Sequence, residues 1–355
     1  FGDGKPQAGV VPPDLVRLCV QQKGGAGRMN SMPSGKLAPE SLERCVLHFG
    51  GATRPELVVG PAVGEDAAVI RWPDGKFLVF TSDPIVGAGA GAGRLLVQVN
   101  ANDVASKGGE PAFLAVTLIL PPSLGEAGAC ALMTEIHGAC AELGIAVAGG
   151  HTEFNDRYDR PVLMGAMIGM ADRVLSARDI RPGDRLLATK HLAIEGLSIL
   201  AQDRPDLLEP CMDRGELMEV ASWGALTSVV PEARALRDLA RFLHDPTEGG
   251  FWGGVSEMER LAGHRFRVEE DRVPLHPLTL RAAERLGFDP LHLIASGSLL
   301  AVLPPEALEE AGKRLDDLGI PWASVGEVAQ EVFHGDVSTR EELWGLLRRP
   351  LEVRS

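Results

Sequence analysis

The sequence has few cysteines, and none of them stands in a pattern that binds metal or forms a redox centre. Its five cysteines show no CxxC pair and no zinc-binding spacing. It also has no apolar run near the ~20 residues that cross a bilayer, and its first residues lack the basic-then-apolar pattern of a signal peptide. These absences predict reduced thiols and a cytoplasmic protein that has no membrane partner.

Basic residues are scarce relative to acidic ones. The chain has 35 Lys and Arg against 49 Asp and Glu, which gives a net charge of −14. This excess argues against nucleic acid or an anionic membrane as a partner. It does not exclude ATP, because metal ions can screen the phosphates from acidic side chains.

A glycine-rich stretch at residues 87–93 alternates Gly and Ala, but it has neither the GK[ST] of a Walker A loop nor the GxGxxG fingerprint. Such a stretch ahead of a helix either wraps phosphates with backbone N–H groups or serves as a mobile lid or linker. The sequence leaves both interpretations open.

Length and composition favour two domains. The chain has 355 residues, 45% of them apolar, with 42 glycines and 25 prolines. This is typical of a loop-rich α/β (α+β) protein with two cores. We predict domains at residues 37–173 and 174–335 and a tail at 336–355. Residues 1–36 begin without Met, and we expect them to be a flexible extension or foreign to the native chain.

Acidic residues first appear beside two short apolar runs. Residues 67–70 and 77–80 are flanked by Gly, Pro and Asp, which is typical of buried strands with turns at their ends. We therefore expect Asp66 and Asp83 to lie at strand ends, where an isolated Asp is more often a turn former or helix cap than a ligand.

A third acidic position lies on a predicted amphipathic helix at residues 94–107. Asn102 and Asp103 fall about two turns into this helix, where polar side chains face a site or water. Carboxylates gathered from separate elements repel each other and lose hydration, so such a set usually holds a hard cation. Asp66, Asp83 and Asp103 together therefore predict a Mg²⁺ site.

Lys36 precedes a helix predicted at residues 39–49 and is flanked by Gly35. A lysine in such a position can reach over a nucleotide phosphate. An ordinary solvated lysine in a loop explains the same pattern, so both interpretations stay open.

A strand predicted at residues 145–148 runs directly into GGHTE. Gly149 and Gly150 at a strand end permit a ligand to approach the backbone closely. His151 and Glu153 would then point at that ligand. His151 is a candidate for proton transfer, and the alternative is a hydrogen-bonded structural histidine.

The second half of the chain contains the turn DPTEGG, which leads into a helix predicted at residues 251–261. Asp245 and Thr247 either cap this helix or belong to an anion site. In the second case Gly249, Gly250 and the free N–H groups of the helix would bind a phosphate.

Six short motifs, GEDAAV, TSDP, NANDVA, GGHTE, RPGD and DPTEGG, occur in this order. Together they resemble the superfamily of aminoimidazole ribonucleotide (AIR) synthase. That superfamily also contains the hydrogenase maturation factor HypE, selenophosphate synthetase, thiamine-monophosphate kinase and formylglycinamidine ribonucleotide synthase. The resemblance covers about residues 37–328, and the order is most similar to HypE and AIR-synthase-related proteins.

The resemblance implies a two-domain fold, with a mixed sheet and helices in the amino-terminal domain, an α/β carboxy-terminal domain and a homodimer formed through amino-terminal sheets. Members transfer the γ-phosphate of ATP to an oxygen, sulfur or selenium nucleophile, often an amide-type oxygen. The matching positions imply Mg²⁺ ligands at Asp66, Asp83 and Asp103 beside Asn102, nucleotide contacts at Gly149, Gly150 and Glu153, and a phosphate turn from Asp245 through Thr247 and Gly249 to Gly250.

Two departures from the HypE pattern bear on the reaction. HypE ends in a cysteine that carries a thiocarbamoyl group, whereas this sequence has no cysteine after Cys211. We therefore do not expect it to dehydrate a thiocarboxamide on its own tail. His151 also stands where relatives have an acidic residue, so we expect different metal or base chemistry there.

The leading hypothesis is a homodimeric enzyme that uses ATP and Mg²⁺ to phosphorylate an amide-like or related small acceptor, with His151 or Glu153 as the proton-transfer group. A second hypothesis is a nucleotide-binding maturation or assembly partner without turnover. A third is a small-molecule kinase similar to thiamine-monophosphate kinase, which differs only in its acceptor. Pocket shape decides the acceptor, so the sequence does not identify it.

Overall fold

The computed structural model describes residues 35–36, 41, 43–59, 69–70, 76–86, 91–173, 175–335, 338 and 340–350. The chain forms two compact units. Unit 1 comprises Phe1–Val104 and Gly109–Asp172, and unit 2 comprises Ala105–Gly108 and Arg173–Ser355.

Unit 1 is built on a five-stranded mixed sheet with the strand order β1-β6-β5-β7-β4. Strands β5 and β6 are parallel, and the other neighbours in this sheet are antiparallel; β2 and β3 form a separate antiparallel pair. The elements are β1 (Gly35–Lys36), a π-helix (Glu43–Leu47), β2 (Leu57–Val59), β3 (Val69–Ile70), β4 (Phe77–Val86), α1 (Ala92–Ser106), β5 (Glu110–Leu120), a 3-10 helix (Pro122–Leu124), α2 (Gly125–Leu143), β6 (Ala146–Phe154) and β7 (Val162–Ala171).

Helical spacing of apolar residues explains how α2 is buried. Met133, Ile136 and Cys140 recur three and four positions apart, and each is at most 1% exposed. The helix ends at Gly144, which adopts the left-handed conformation (φ 76°) that favours glycine at a helix end. The same pattern buries Leu96 in α1.

The sheet of unit 1 has two different faces, because neighbouring residues of paired strands share a face and successive residues alternate. One face carries α1, and we call it the helix face. It contains a row of directly paired residues, namely Asp83, Gly165, Val116 and Gly150. The opposite face, the open face, contains the adjacent row, namely Pro84, Met164, Thr117 and His151.

The open face carries exposed apolar side chains along β4 and β7. Leu78, Phe80 and Val86 of β4 are 56%, 63% and 67% exposed, and Met164 of β7 is 43% exposed. Contiguous exposed apolar side chains of this kind usually mark an interaction surface.

A β-bulge in β6 reverses the expected alternation of side chains. Val147 pairs with Leu114, but Ala115 pairs with Gly149, so Ala148 is an extra residue without a partner on β5. Counting from Val147, strict alternation would place His151 on the helix face. The bulge places it on the open face instead.

Two expected strand boundaries are wrong. Asp83 lies in the middle of β4 and not at a strand end, because β4 pairs with β7 over all ten of its residues. Pro84 is tolerated there because β4 is the edge strand of the described sheet. Likewise, the segment from Gly149 to Glu153 continues β6 alongside β5 and is not a turn.

Unit 2 contains a five-stranded sheet with the order β10-β12-β8-β11-β9, in which all neighbours are antiparallel. Its strands are β8 (Arg185–Thr189), β9 (Phe242–His244), β10 (His264–Val268), β11 (Leu300–Leu303) and β12 (Trp322–Val332). Its helices are α3 (Ile194–Asp203), α4 (Pro205–Leu208), α5 (Arg214–Ser222), α6 (Val230–Leu236), α7 (Gly250–Ala262), α8 (Pro277–Leu286), α9 (Leu308–Asp317) and α10 (Leu343–Leu347). Short 3-10 helices lie at Ala177–Asp179, Trp223–Leu226, Glu270–Arg272, Pro290–His292 and Pro305–Ala307.

Two apolar clusters form the core of unit 2. One joins Phe251 of α7 to Leu300 and Val302 of β11. The other includes Leu197 of α3 and Leu343 of α10. The predicted fold class, two domains with sheets and many helices and a mixed sheet in the first, is confirmed. Among the residues that the structure describes, no helix is both long and apolar enough to cross a membrane.

We expect Gly150→Ala to destabilise unit 1 strongly. Gly150 has a φ of 151°, and a Cβ there would lie 1.8 Å from the carbonyl oxygen of Val116. Backbone strain and the clash should together cost about 2–5 kcal/mol of unfolding free energy. Gly138→Ala in α2 is the control, because its Cβ meets no atom within 4 Å. Equal urea midpoints for the two variants would contradict the predicted strain and clash at position 150.

Candidate functional site

Two carboxylates of unit 1 meet at one hydroxyl group. The hydroxyl of Thr81 donates to Asp103 Oδ2 at 2.7 Å and lies 3.4 Å from Asp83 Oδ2. Thr81 and Asp83 are two positions apart on β4, so both face the helix face, where Asp103 projects from α1. The fold therefore brings Asp83 and Asp103 together, as the sequence predicts.

Asn100 holds the backbone of Asp83 in place. Its Oδ1 accepts from the N–H of Asp83 at 3.1 Å, and its Nδ2 donates to the carbonyl of Asp83 at 3.3 Å and to that of Leu96 at 2.9 Å. Asn100 is fully buried. Gly165 makes room for it, because a Cβ there would lie 2.5 Å from Asn100 Nδ2. This amide fixes the position from which the Asp83 carboxylate projects.

The sequence predicts that Asn102 faces a site or water, whereas the asparagine that contacts Asp83 is Asn100, which the motif did not single out. Asn102 is completely buried and does not face water. Asn100 lies three residues before Asp103 and so shares its side of α1, whereas Asn102 is rotated about 100° away. The spacing of Leu96, Asn100 and Asp103 was the available signal.

The carboxylate pair suits a small hard cation. Mg²⁺ usually takes one or two protein carboxylates and completes its shell with water and substrate phosphates. Across the described ranges, no group of three or more His, Cys, Asp or Glu residues is arranged to hold a metal ion. Asp66, the third predicted ligand, lies outside the described residues, and Lys36 is described only as backbone of β1.

His151 and Glu153 form a separate polar pair on the open face. His151 Nε2 lies 3.2 Å from Glu153 Oε2, and Asn155 Nδ2 donates to Glu153 Oε1 at 3.3 Å. Asn155 and then His151 lower the pKa of Glu153. The structure does not bring this pair together with Asp83 and Asp103, because the bulge at Ala148 turns it to the opposite side of the sheet.

The two glycines of β6 also fall on different faces. Gly150 belongs to the row that contains Asp83 on the helix face, and it is exposed. Gly149 belongs to the row of Ala115 on the open face. Of these two glycines, Gly150 therefore lies on the same face of the sheet as the carboxylate pair, with β7 and β5 between them.

Asp245 of unit 2 is a buried acid at the end of β9. It is 5% exposed, and its Oδ1 accepts from the hydroxyl of Ser106, a residue of the segment Ala105–Gly108. Its Oδ2 has no hydrogen-bond partner within the described structure. Burial raises the pKa of Asp245 to about 6, although His244, Ser106 and Lys107 act in the opposite direction.

Asp245 and Thr247 do not cap α7, so this interpretation of the turn is wrong. The N-cap is Gly249, without a side-chain cap, because Asp245 bonds to Ser106 instead. Thr247 contributes its backbone carbonyl, which accepts from Gly250 N at 3.1 Å and from Ala295 N at 3.3 Å.

Two N–H groups at the start of α7, those of Gly249 and Gly250, already have acceptors within the chain. Gly249 N donates to Glu341 Oε2 at 2.7 Å, and Gly250 N donates to Thr247. Gly250 also has a packing role, since a Cβ there would lie 2.6 Å from the carbonyl oxygen of Leu293. A carboxylate of the chain thus lies where the sequence predicted a phosphate.

Four carboxylates surround this turn, and we call them the acidic cluster: Glu195, Asp245, Glu248 and Glu341. Burial raises the pKa of Glu195, and the charges of Glu341, Asp245 and Glu248 raise it further, against a hydrogen bond from Ser296. Glu195 Oε2 has no hydrogen-bond partner among the described residues. The cluster therefore favours cations or protons.

The loop after β8 has an unusual backbone conformation that no sequence motif indicated. Lys190 and Ala193 adopt positive φ angles of 53° and 65°, which are uncommon outside glycine and concentrate at functional sites. Lys190 Nζ donates to three backbone carbonyls and pairs with the buried Glu232 at 2.7 Å. These contacts hold the loop that leads into α3. No sequence motif predicts that a lysine adopts a left-handed backbone conformation.

Family models match most of the chain. The model described as AIR synthase related protein, N-terminal domain, matches residues 64–171. The model described as AIR synthase related protein, C-terminal domain, matches residues 181–335. Apart from residues 105–108, the first match lies within unit 1, and the second lies within unit 2.

Named relatives and a solved structure agree with these matches. The carbamoyl dehydratase HypE of Bradyrhizobium diazoefficiens is 26% identical over 77% of this chain and 80% of its own length. The selenide, water dikinase of Geobacter metallireducens is 30% identical over 68% of this chain and 70% of its own. The crystal structure of hydrogenase maturation protein HypE in complex with ATP superimposes with a TM-score of 0.68 at 24% identity, over 85% of this chain and 89% of that one.

The raised pKa of Asp245 predicts a pH-dependent stability. The folded chain holds the proton up to about pH 6, whereas the unfolded chain releases it near the ordinary value of 3.8. Stability should therefore fall as pH rises from about 4 to 6, by on the order of 3 kcal/mol, and then level off. Asp245→Asn should remove this part of the slope.

Urea unfolding at pH 4 to 8 measures the effect by tryptophan fluorescence, because unit 2 holds Trp223, Trp252, Trp322 and Trp344. Asp271→Asn, at an exposed position of the same unit, is the control. A pH slope that is unchanged by Asp245→Asn would contradict the assignment.

Proposed function

The chain belongs to the family of AIR synthase related proteins, and from this premise we propose that it is a Mg²⁺-dependent enzyme that uses ATP. In this proposal it transfers the γ-phosphate to an amide-like or related small acceptor. The observation that carries the proposal is the pair Asp83 and Asp103, gathered from a strand and a helix at the hydroxyl of Thr81. Bringing two carboxylates together costs free energy, which a bound cation offsets.

The proposal assigns a role to each side chain at this site. Asp83 and Asp103 would hold Mg²⁺, with Asp66 as the third ligand. Thr81 fixes the orientation of the Asp103 carboxylate, and Asn100 fixes the Asp83 backbone. When bound, the ion would neutralise charge on the ATP phosphates, which is the main requirement of phosphoryl transfer.

The surroundings of the pair suit a nucleotide. Gly150 lies in the same row of the sheet as Asp83 and is exposed, so a ligand can approach its backbone. Lys36, on the edge strand β1, is proposed as a phosphate contact. An ATP-bound solved structure of a HypE protein with the same fold supports the nucleotide.

His151 and Glu153 receive a different role from the one that the motif suggested. They lie on the open face, so they are not positioned to move a proton beside Asp83 and Asp103 of the same chain. Their pair forms a polar patch on the face that also carries the exposed apolar side chains of β4.

We also propose that the protein is a homodimer that buries the open face. Leu78, Phe80 and Val86 are each more than half exposed, and they lie side by side on an extended sheet. Covering these side chains would stabilise a dimer by the ordinary hydrophobic effect.

A second candidate is a nucleotide-binding maturation partner without turnover. The names of the HypE relatives, which include a hydrogenase maturation protein, favour this reading. Incubation with ATP and Mg²⁺, with and without candidate amide or thiamine-monophosphate acceptors, separates the candidates. ADP formation supports the enzyme, whereas ATP binding without ADP supports the partner.

Asp103→Asn should weaken binding of Mg·ATP by at least about tenfold. The amide oxygen can still accept from Thr81, so the fold should persist while the charge that holds the cation is lost. Titration calorimetry in Mg²⁺ and in EDTA measures the effect, which should appear only in Mg²⁺. Asp159→Asn, on an exposed loop of the same unit, is the control. Identical Mg·ATP affinities for the two variants would contradict the assignment of Asp103 as a Mg²⁺ ligand.

Leu78→Glu should shift the protein from dimer to monomer. A charge in the middle of a buried apolar interface is costly to desolvate. Leu261→Glu is a matched control, because Leu261 is 59% exposed and Leu78 is 56% exposed, but Leu261 lies on α7 of unit 2. Sedimentation at micromolar concentration distinguishes the two species. A wild type that stays monomeric, or a Leu78→Glu variant that stays dimeric, would refute the proposed interface.

A further inference from the structure

Glu341 is held by backbone N–H groups from three segments. Gly249 N donates to its Oε2 at 2.7 Å, while Ile294 N and Leu343 N donate to its Oε1 at 3.2 and 2.8 Å. Gly249 and Ile294 lie outside the segment that carries Glu341. These two donors, together with the positive end of the α7 dipole, would therefore remain as an anion site if the segment moved away.

The segment that carries Glu341 covers the start of α7. We call it the C-terminal strap; it consists of the described residues 338 and 340–347. Ser338 N donates to Ser256 Oγ at 2.9 Å, and Glu342 N donates to the carbonyl of His292 at 3.1 Å. Arg340 and Ser338 place their carbonyl oxygens 3.5 and 3.6 Å from where a Cβ on Gly249 would be.

Neighbouring carboxylates repel Glu341 from its position at the start of α7. Glu341 acts on the buried Glu195 by charge repulsion, as Asp245 and Glu248 do, and the repulsion between Glu341 and Glu195 is mutual. Attractive N–H groups and repulsive carboxylates thus act on the same side chain. Such a contact can be displaced more readily than one that is attractive throughout.

A second observation points to a ligand beside the turn. Asp245 and Glu195 are 5% and 7% exposed, yet Asp245 Oδ2 and Glu195 Oε2 have no hydrogen-bond partner in the described part of the chain. Buried carboxylate oxygens normally have partners. A cation that accompanies a phosphate would supply one.

We propose that Glu341 occupies a phosphate site made by the N–H groups of Gly249 and Ile294, and that the C-terminal strap must leave before a magnesium-bound phosphate chain can bind there. Glu341 is thus an internal competitor of the ligand. This inference rests on the proposed use of Mg·ATP for its biological ligand, but the site itself can be tested with inorganic tripolyphosphate.

The test compares Glu341→Gln with Glu342→Gln. Both remove one negative charge from the strap, but the side chain of Glu342 bonds to Arg340 and not to the turn. Binding of magnesium tripolyphosphate is measured by calorimetry. Glu341→Gln should bind at least fivefold more tightly than wild type, and Glu342→Gln should stay within twofold of it.

Amide hydrogen exchange tests the movement of the strap directly. The N–H of Leu346 bonds to the carbonyl of Glu342 in α10, so its protection reports whether α10 is docked. Saturating magnesium tripolyphosphate should lower this protection in the wild type. Glu341→Gln should lower it before any ligand is added.

Three results would overturn the proposal: an unchanged or weaker affinity for Glu341→Gln, an equal gain for both variants, or binding that leaves Leu346 protected. A merely structural role would lower stability without raising affinity. If tripolyphosphate behaves as expected but Mg·ATP binds to no form of the protein, the proposed function fails and this site remains. If Asp103→Asn abolishes Mg·ATP binding while Glu341→Gln changes nothing, the reverse holds.

Discussion

The alternation of side chains across the sheet of unit 1 governs how its polar residues are used. Every second residue of β4 faces α1, so Thr81 and Asp83 meet Asp103, while Leu78, Phe80 and Val86 project from the opposite face. Asn100 secures this arrangement, because its amide satisfies both the N–H and the carbonyl of Asp83. A shift of β4 by one residue would exchange the two faces and separate the carboxylates.

The sequence predicted the architecture and the proximity of Asp83 to Asp103, because apolar runs and helical spacing are local signals. The sequence did not predict the features that depend on how strands pair. Asp83 lies inside β4 because β7 runs beside it, and the bulge at Ala148 turns His151 away. Neither is visible in a single strand. Asn100 was missed because its partner is a backbone that becomes adjacent only on folding.

In unit 2 the sequence likewise did not predict which distant polar groups contact the DPTEGG turn. The motif DPTEGG predicted a helix from residue 251, and α7 begins one residue earlier at Gly250. The roles of the motif's residues depend on distant parts of the chain. The hydroxyl of Ser106 donates to the carboxylate of Asp245, and the N–H of Gly249 donates to the carboxylate of Glu341. An acidic chain can bind a polyanion in such surroundings only if a cation comes with it, which agrees with the proposed use of magnesium.

Pro84 has a consequence for how copies of this chain can associate. It lies in the middle of β4, the edge of the described sheet, and it carries no backbone N–H group. Proline is confined to edge strands and bulges because it cannot donate to a ladder, and proline on an edge strand is a common safeguard against continuous sheet growth. If copies of the chain associate through the open face as proposed, they meet across the broad face of the sheet and not along its edge, which favours a closed assembly over open-ended fibres.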